Sequence, residues 1–430
     1  MPSYAETLPV GERKRYIGYA YVSTWFGCFA DVMMDSTAII MIYFVLLNAG
    51  NSLIMFSTAL TGIVQIPLLI PVSALVDRFG VKRMVAVSCS LSCAGYLLMS
   101  VAPFAGSAAQ YIVLLGVFIF CLSRPMWATS WYPILGDILL PEERGNFFGR
   151  MRFSYYVITG TVFYFVGQFM GKNPPVWYLQ IATAITGLLA LGRFFYINKI
   201  KLSGQKQDRP ELKKAFSISI HNSPLVSFSI YCCFFSLASS AIIPLGMLYM
   251  KQSLGYDADT VQKLSSMGIA GSTVGFLIYG LIQKKLGMRN LQITVHALWL
   301  AVAAGFFCCF KGMPLLLPLS GALLFLSSLA HAWFNCCFSQ ECLALSRPGN
   351  NAMASALAST YNSIGNAIGR TAGSILLGNG LLAVTWKWHD FVITDFQSLF
   401  LLSFGGILIC GVMLLSLPSV IPNHDDYYKP

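Results

Sequence analysis

Two aspartates stand four residues apart within one long apolar run, at Asp31 and Asp35. Residues four apart share one face of a helix, so the two carboxylates are expected side by side. Such a pair could bind and release a proton, because burial and the neighbouring negative charge both favour the protonated form. Asp31 lies closer to the middle of the run and is expected to be the main proton carrier, with a lesser part for Asp35.

An arginine and two tryptophans supply a second kind of chemistry. Arg124 lies in another apolar run, and Trp127 and Trp131 follow on the same side, one and two turns later. A guanidinium binds oxygen-rich or anionic groups through paired hydrogen bonds, and a tryptophan ring can stack on a sugar ring. We expect these residues to bind a solute. The alternatives are a permanent ion pair of Arg124 with Asp31 or Asp35, and tryptophans that serve packing alone.

Other apolar runs carry further polar residues at similar depth. Groups of this kind are costly within a bilayer and nearly always face a cavity or a partner. We expect the following side chains to complete the solute site: Gln65, His331, Asn335, Asn362, Asn366 and Arg370. His331 could equally make a hydrogen bond between helices. Arg370 could instead donate to internal carbonyls or pair with Glu341.

The composition indicates that these runs cross a membrane. Of the 430 residues, 56% are hydrophobic and only 10% are charged, whereas an ordinary soluble protein carries about 25% charged residues. Apolar stretches of about 20 residues, parted by short polar breaks, predict transmembrane helices. Twelve spans are predicted, in two sets of six: 17–47, 52–75, 84–104, 109–138, 147–171, 176–198, 224–250, 260–283, 291–311, 314–342, 352–384 and 397–420.

The positions of lysine and arginine predict the orientation. With the N-terminus in the cytoplasm, 21 of the 28 lie on the cytoplasmic side, as the positive-inside rule requires. Both termini are then cytoplasmic. The net charge of +11 reflects topology and not nucleic-acid binding, because the basic residues are spread over separate loops. The first apolar run is too long for a cleavable signal peptide, and the lack of any Asn-x-Ser/Thr acceptor favours a bacterial inner membrane.

Cysteine and nucleophile patterns do not favour an enzyme or a metal centre. The 12 cysteines include three adjacent pairs, and neighbours on a helix point about 100° apart, a poor geometry for a shared metal or a disulfide. We expect these cysteines to act as apolar packing residues. Neither a His-Glu-x-x-His motif nor a nucleophile elbow occurs in the sequence, so we expect no enzyme activity, no metal and no cofactor.

A charged segment between apolar runs recurs in the second half of the chain. The segment "SALVDRFGVKR" has a weaker copy in "GLIQKKLGMRN", which aligns Gly80 with Gly287. A similar offset aligns "NFFGRMRFSYYVITG" with "NAMASALASTYNSIG" and "SRPMW" with "LAHAW". Parallel repeats of this kind predict two homologous six-helix halves. The predicted division is 1–198, a cytoplasmic linker at 199–223, and 224–430.

The segment "SALVDRFGVKR" resembles the signature of the major facilitator superfamily, Gly-x-x-x-Asp-Arg-x-Gly-Arg-Arg, in the loop between helices 2 and 3. Ser73 stands where the pattern has Gly, and Lys82 stands where it has Arg. "PEERGNFFG" at 141–149 resembles the family's loop after helix 4. The resemblance rests most directly on these residues: Asp77, Arg78, Gly80 and Arg83.

This resemblance implies an all-α membrane protein with twelve transmembrane helices in two pseudo-symmetric six-helix bundles. In that fold, helices 1, 4, 7 and 10 line a central cavity. The resemblance also implies a cytoplasmic gate. Asp77 would act at the N-terminus of the eleventh helix, whose dipole favours negative charge. Arg78, Arg83 and Arg144 would supply charge partners, and Gly80 would permit the tight turn.

These features together predict a secondary active transporter that moves a small hydrophilic organic solute by alternating access. A sugar, a sugar acid and another organic anion all remain open as the solute. The expected coupling ion is the proton, with sodium as the alternative, and the expected state is a monomer in the bilayer. A multidrug exporter of the same fold and a facilitator without ion coupling are the other transporters considered. A non-transporting receptor is disfavoured because no large soluble domain is present.

Overall fold

A computed structural model gives the structure of residues 4–202, 212–346, 351–379, 381–388, 391–416 and 420. These residues are almost entirely helical, which confirms the predicted all-α fold class apart from one short hairpin. The chain divides into two compact units. Unit 1 comprises Met1–Ala49 and Val64–Asp208, and unit 2 comprises Gly50–Ile63 and Arg209–Pro430.

Unit 1 contains the helices that carry the paired aspartates and Arg124. A 3-10 segment, Ala102–Ala108, joins two of these helices. The helices of this part of the chain are α1 (Tyr4–Thr7), α2 (Val10–Ser36), α3 (Ile39–Leu46), α4 (Asn51–Phe79, whose first part belongs to unit 2), α5 (Val81–Val101), α6 (Ala109–Ile138), α7 (Pro141–Met170) and α8 (Val176–Asn198).

Unit 2 contains the remaining helices and one antiparallel hairpin that the sequence did not predict. In this hairpin Thr385 pairs with Thr394, and Trp388 pairs with Phe391. The elements are α9 (Leu212–Ile220), α10 (Ser223–Ser239), α11 (Ile242–Gln252), α12 (Ala258–Phe307), α13 (Leu316–Leu345), α14 (Asn351–Gly378), β1 (Thr385–Trp388), β2 (Phe391–Thr394) and α15 (Asp395–Ser416).

Most of the predicted spans coincide with one helix each, but two of them are broken. The first span divides into α2 and α3, which are bent by 58°. Thr37 lies at this bend in an extended conformation, and its hydroxyl accepts a hydrogen bond from the Ile39 N–H. The span at 224–250 divides into α10 and α11. Such breaks depend on local capping and tertiary contacts, which hydropathy does not report.

Hydropathy and length select fewer membrane-crossing stretches than the sequence predicted. Seven helical stretches of the described chain qualify, or eight if α2 and α3 form one span. Two of these stretches, Val81–Ile138 and Ala258–Phe307, each contain two predicted spans. The polar helices α7 and α14 do not qualify. The number twelve therefore stays a prediction.

Gly80 and Gly287, which the repeat aligns, have nearly the same backbone conformation. Gly80 has φ 88° and ψ 147° at the start of α5, and Gly287 has φ 73° and ψ 167° within α12. Both values lie in a region that is essentially restricted to glycine. Each glycine interrupts the chain between two predicted spans, so the structure supports the repeat that the weak sequence similarity suggested.

Close helix packing in each unit depends on glycine. In unit 1, a Cβ added to Gly95 would lie 2.6 Å from the carbonyl oxygen of Gly116. In unit 2, a Cβ added to Gly365 would lie 2.1 Å from the carbonyl oxygen of Cys233, and one added to Gly369 would lie 2.3 Å from that of Leu237. Small residues at such positions let helix backbones approach closely, as in many membrane proteins.

The first part of α4 packs against α14 and therefore groups with unit 2. A Cβ added to Gly62 would lie 2.9 Å from the carbonyl oxygen of Ser363, and Ser374 Oγ donates to the carbonyl oxygen of Ser52 over 2.7 Å. This grouping was not predicted, because the sequence assigned all of α4 to the first half. The predicted boundaries 1–198, 199–223 and 224–430 stay a prediction, and residues 203–211 of the linker lie outside the described residues.

Candidate functional site

Asp31 and Asp35 lie on α2, and both carboxylates meet arginine side chains of unit 1. Arg124, on α6, holds Asp35 through two bonds: its Nη1 donates to Oδ1 over 3.0 Å, and its Nη2 donates to Oδ2 over 2.5 Å. This paired contact uses the planar fork of the guanidinium and is stronger than a single neutral hydrogen bond. The ion pair that the sequence left as an alternative is therefore present, with Asp35 as the closer partner.

Asp31 meets a second arginine. Arg193, on α8, donates from Nη2 to Asp31 Oδ2 over 2.9 Å, whereas the Nε of Arg124 lies 3.9 Å from Asp31 Oδ1. Two acids and two bases thus form one connected group, here called the charge cluster: Asp31, Asp35, Arg124 and Arg193. With both aspartates ionised its net charge is zero, which avoids an uncompensated charge in a medium of low dielectric constant.

Arg193 is the most enclosed member of the charge cluster. Its side chain is 10% exposed, against 20% for that of Arg124. Its guanidinium carbon lies 4.0 Å from the ring centre of Trp127, which is a cation–π contact. The guanidinium also lies directly against Gly27 of α2, where an added Cβ would be 1.5 Å from Nε. Glycine at this position therefore lets the arginine reach Asp31.

The sequence analysis did not identify Arg193 as a site residue. It lies near the end of a predicted span, where the positive-inside rule accounts for a basic residue without requiring a partner. A signal was nonetheless present. The residue stands within "LLALGRFFYIN", an apolar segment with no other charge, and a lone base in such a segment is the same feature that selected Arg124.

Trp127 and Trp131 differ in their surroundings. Their rings are stacked on each other, with centroids 4.8 Å apart and an interplanar angle of 27°. Trp131 is buried in the hydrophobic core of unit 1, close to Tyr16 and Ile134. Trp127 is half-buried and contacts Arg193. A role in packing alone, one of the alternatives for the two tryptophans, therefore fits Trp131 better than Trp127. Trp127 is the ring next to the charge cluster.

Unit 2 has a polar stripe of its own along α14. Asn362, Asn366 and Arg370 follow one another at a spacing of four residues, which places them on one face. Ser236 Oγ donates to Oδ1 of Asn362, and Asn366 Nδ2 donates to the backbone oxygen of Asn362 over 2.9 Å. The predicted grouping of these residues is therefore present within unit 2, and their solute contacts stay predictions.

Arg370 contacts backbone carbonyls. Its Nε donates to the oxygen of Ser240 over 3.2 Å, and its Nη1 donates to the oxygen of Thr58 over 2.8 Å. Ser240 directly follows α10, where terminal carbonyls have no partner within the helix. Donation to internal carbonyls, one of the alternatives for this arginine, matches these contacts.

Three other predicted solute-binding residues occupy accessible positions. His331 is exposed on α13, and Asn335 is half-buried one turn later. Gln65 is half-buried on the part of α4 that belongs to unit 1. A role for them in solute binding stays a prediction.

The structure describes only some residues of the predicted cytoplasmic gate. Arg78 and Arg83 are exposed, and Gly80 supplies the positive φ at the turn before α5. Next to them, Lys82 Nζ donates to the carbonyl oxygen of Asn198 over 2.9 Å and so satisfies the end of α8. The side chains of two further predicted gate residues lie outside the described residues: Asp77 and Arg144.

Known proteins resemble this chain over nearly its whole length. The family described as the Major Facilitator Superfamily matches residues 24–370. A mutant of the nucleoside transporter NupG is 14% identical, with 94% of this chain and 99% of that chain covered and a TM-score of 0.71. A D-xylose-proton symporter is 14% identical, with 96% and 98% covered and a TM-score of 0.67. A bacterial homologue of the iron transporter ferroportin, in an inward-facing state, is 14% identical, with 94% and 98% covered and a TM-score of 0.68.

Replacing Gly27 tests the contact with Arg193. We expect Gly27→Ala to have a free energy of unfolding about 1–3 kcal/mol below that of Gly18→Ala, because the methyl group added at Gly27 overlaps the guanidinium and displaces it from Asp31. Both variants share the gain in helix propensity from Gly to Ala, which is about 1 kcal/mol. Thermal unfolding of the purified chain in detergent measures the effect. The matched control is Gly18→Ala on the same helix, where an added Cβ meets nothing within 4 Å; equal unfolding temperatures for the two variants would contradict this description.

Proposed function

The chain belongs to the major facilitator superfamily, whose family description matches residues 24–370, and we propose that it uses a proton gradient to move a small hydrophilic organic solute. Membership of this family makes the chain a transporter, and an integral multi-pass membrane protein with a small-molecule substrate, instead of an enzyme. The class of solute and the identity of the coupling ion are what we propose beyond family membership. Both rest on the charge cluster of unit 1.

The charge cluster is the main observation behind the proposal, because four ionisable side chains at this place contribute little to the stability of the fold compared with apolar residues in their place. Removing ions from water costs several kcal/mol per ion, and apolar residues of similar volume are often equally stabilising or better. Ionisable residues within membrane spans are rare and commonly mark substrate or ion pathways. A neutral group of four charges within the first, fourth and sixth predicted spans is therefore better explained by solute and ion binding than by packing.

The proton is the proposed coupling ion because the charge cluster contains carboxylates next to competing bases. Asp31 and Asp35 can each be ionised beside an arginine or neutralised by a proton, and the balance shifts when the arginine moves away. One structural neighbour is a D-xylose-proton symporter, which fits this proposal. At 14% identity that likeness concerns the fold alone, so the proposal rests on the residues.

In this proposal the solute binds at the residues that the sequence analysis identified. Arg124 provides the main anchor, since a guanidinium fork binds anionic or oxygen-rich groups, and Trp127 offers an adjacent ring. The other proposed solute-binding residues are Trp131, Gln65, His331, Asn335, Asn362, Asn366 and Arg370.

The location and the gate are also proposed. Even without Arg193, which belongs to the charge cluster, most Lys and Arg residues fall on one side of the predicted topology, which supports cytoplasmic termini; a bacterial inner membrane is proposed from the lack of an Asn-x-Ser/Thr acceptor. A single chain is proposed to be the working unit. The segment around Gly80 is proposed to form the cytoplasmic gate, with these residues: Asp77, Arg78, Gly80, Arg83 and Arg144.

Uptake into proteoliposomes tests proton coupling. The solute is first chosen as the compound that most raises the unfolding temperature in a screen of sugars, sugar acids, carboxylates and amino acids. We expect an imposed pH gradient to drive its accumulation by the unmodified protein. Asp35→Asn should lose this accumulation and keep counterflow of solute, because counterflow needs no net proton movement. Asp35 is chosen because Asp31→Asn would also deprive Arg193 of its partner.

The control for this experiment is Asp259→Asn. Asp259 pairs with Lys263 over 3.0 Å, one turn apart on α12, and such i,i+4 pairs on a helix contribute little to stability. This variant should accumulate solute normally. If the unmodified protein ignores the pH gradient, or if Asp35→Asn still concentrates solute, proton coupling through this residue is wrong, and sodium coupling or facilitation replaces it.

Replacing Asp77 tests the gate. We expect Asp77→Asn to reduce the transport rate by about tenfold, because a carboxylate at a helix N-terminus contributes up to ~2 kcal/mol. Solute binding, measured by thermal shift, should change little, because the gate is separate from the solute site. Rate and binding are measured on the same preparation, beside Asp259→Asn. Parallel losses of both, or no change in either, would remove the gating role.

A further inference from the structure

We propose that the solute carries a carboxylate group, that this carboxylate displaces Asp35 from Arg124, and that the displaced Asp35 then takes up the coupled proton. The inference rests on the proposed function and specifies its substrate class. It also reverses the order of the two aspartates expected from the sequence, in which Asp31 was the main proton carrier: in this proposal Asp35 exchanges its partner and takes up the proton, and Asp31 keeps Arg193.

The contact between Asp35 and Arg124 has the geometry of a bound carboxylate. Both terminal nitrogens of the arginine donate, one to each oxygen, over 3.0 and 2.5 Å. Arg124 approaches Asp31 only through its Nε, at 3.9 Å. The fork of Arg124 is therefore filled by a single carboxylate, and a solute that binds this fork with the same two bonds must present two acceptor oxygens at a similar spacing, as a second carboxylate does.

The two ion pairs of the charge cluster differ in their access to solvent. The two aspartates are almost equally exposed, at 33% for the Asp35 side chain and 31% for that of Asp31, so the difference lies in their arginines, of which Arg124 is 20% exposed. Arg193 is 10% exposed; the Trp127 ring lies 4.0 Å from its guanidinium, and the backbone of Gly27 lies against it. A carboxylate from solution can reach Arg124, whereas the arginine that holds Asp31 is enclosed by protein.

Charge balance then couples the solute to a proton. The unliganded cluster has two positive and two negative charges. A monocarboxylate that replaces Asp35 on Arg124 adds one negative charge and leaves Asp35 without its partner, a costly state for a group removed from bulk water. A proton from the solution on the entry side forms an O–H bond with Asp35 and restores neutrality. When the solute leaves, Asp35 returns the proton to water on the exit side and binds Arg124 again.

Two consequences follow for transport. One proton accompanies each monocarboxylate, so the net movement carries no charge. Arg193 acts as a positioning residue, because it holds the Asp31 carboxylate in place beside the exchanging pair over 2.9 Å and contacts no solute itself. A neutral sugar does not satisfy this scheme, because it brings no carboxylate to displace Asp35.

Chemical rescue tests the exchange without knowledge of the solute. Asp35→Ala removes one carboxylate and leaves space for formate, the carboxylate alone. We expect the full-length variant in detergent micelles to unfold several degrees below the unmodified protein, and sodium formate to restore at least half of that loss. Formamide, which is neutral, and sodium chloride at the same ionic strength should restore much less.

Asp31→Ala is the matched variant, since its partner is enclosed, and formate should not restore its unfolding temperature. If Asp31→Ala does not fold, Asp31→Asn replaces it, because that change keeps the shape of the side chain. Failure of formate to rescue Asp35→Ala overturns the inference. Equal rescue by chloride, or equal rescue of the Asp31 variant, overturns it as well.

The formate rescue and the uptake experiment test different claims, so a negative result in one leaves the other claim standing. A neutral sugar that accumulates with the pH gradient, together with no rescue by formate, would remove the carboxylate assignment and leave the proposed function intact. Rescue by formate in a protein that ignores the pH gradient would support the carboxylate site and remove proton coupling.

Discussion

Charge neutrality within a small group of side chains is the constraint on which unit 1 depends. Asp31, Asp35, Arg124 and Arg193 are joined by contacts of 2.5 to 3.9 Å, on helices that apolar residues otherwise dominate. Removing one member leaves a charge with no partner where water cannot easily compensate. Exchange of one member for a solute group is tolerated only if another charge changes with it, and this requirement links solute binding to proton uptake in the proposed mechanism.

Helix packing makes this arrangement possible. Ser23 Oγ donates to the carbonyl oxygen of Arg193 over 3.2 Å, which ties α2 to α8 beside the ion pair. The Tyr96 hydroxyl donates to the carbonyl oxygen of Ala30 over 2.6 Å and ties α2 to α5. With Gly27 under the guanidinium, these contacts hold the Asp31 pair in place. The arginine of the Asp35 pair is less enclosed, at 20% exposed against 10% for Arg193, and we therefore assign the exchange to Asp35.

The sequence could predict the helices and three of the four members of the charge cluster: Asp31, Asp35 and Arg124. Apolar runs of sufficient length set the spans, and the repeat around Gly80 and Gly287 indicated two related halves. Arg193 was missed because sequence position cannot tell a basic residue that faces solvent at a helix end from one that turns inward. Depth in the span ranked Asp31 above Asp35 as the proton carrier, whereas the proposed mechanism gives that part to Asp35. Their difference arises from α8, which is distant in sequence.

A double-mutant cycle on Asp31 and Arg193 tests the central claim most directly. The unfolding free energies of Asp31→Asn, Arg193→Gln and the double variant are measured against the unmodified chain in the same detergent. Asp31→Asn should cost about 3–5 kcal/mol, because it leaves the enclosed Arg193 guanidinium unpaired. Arg193→Gln should cost less, because Asp31 is 31% exposed and has Arg124 at 3.9 Å. The double variant is neutral again and should be more stable than the sum of the single losses implies. Additive losses would show that the two residues are not coupled and would contradict a charge cluster governed by neutrality.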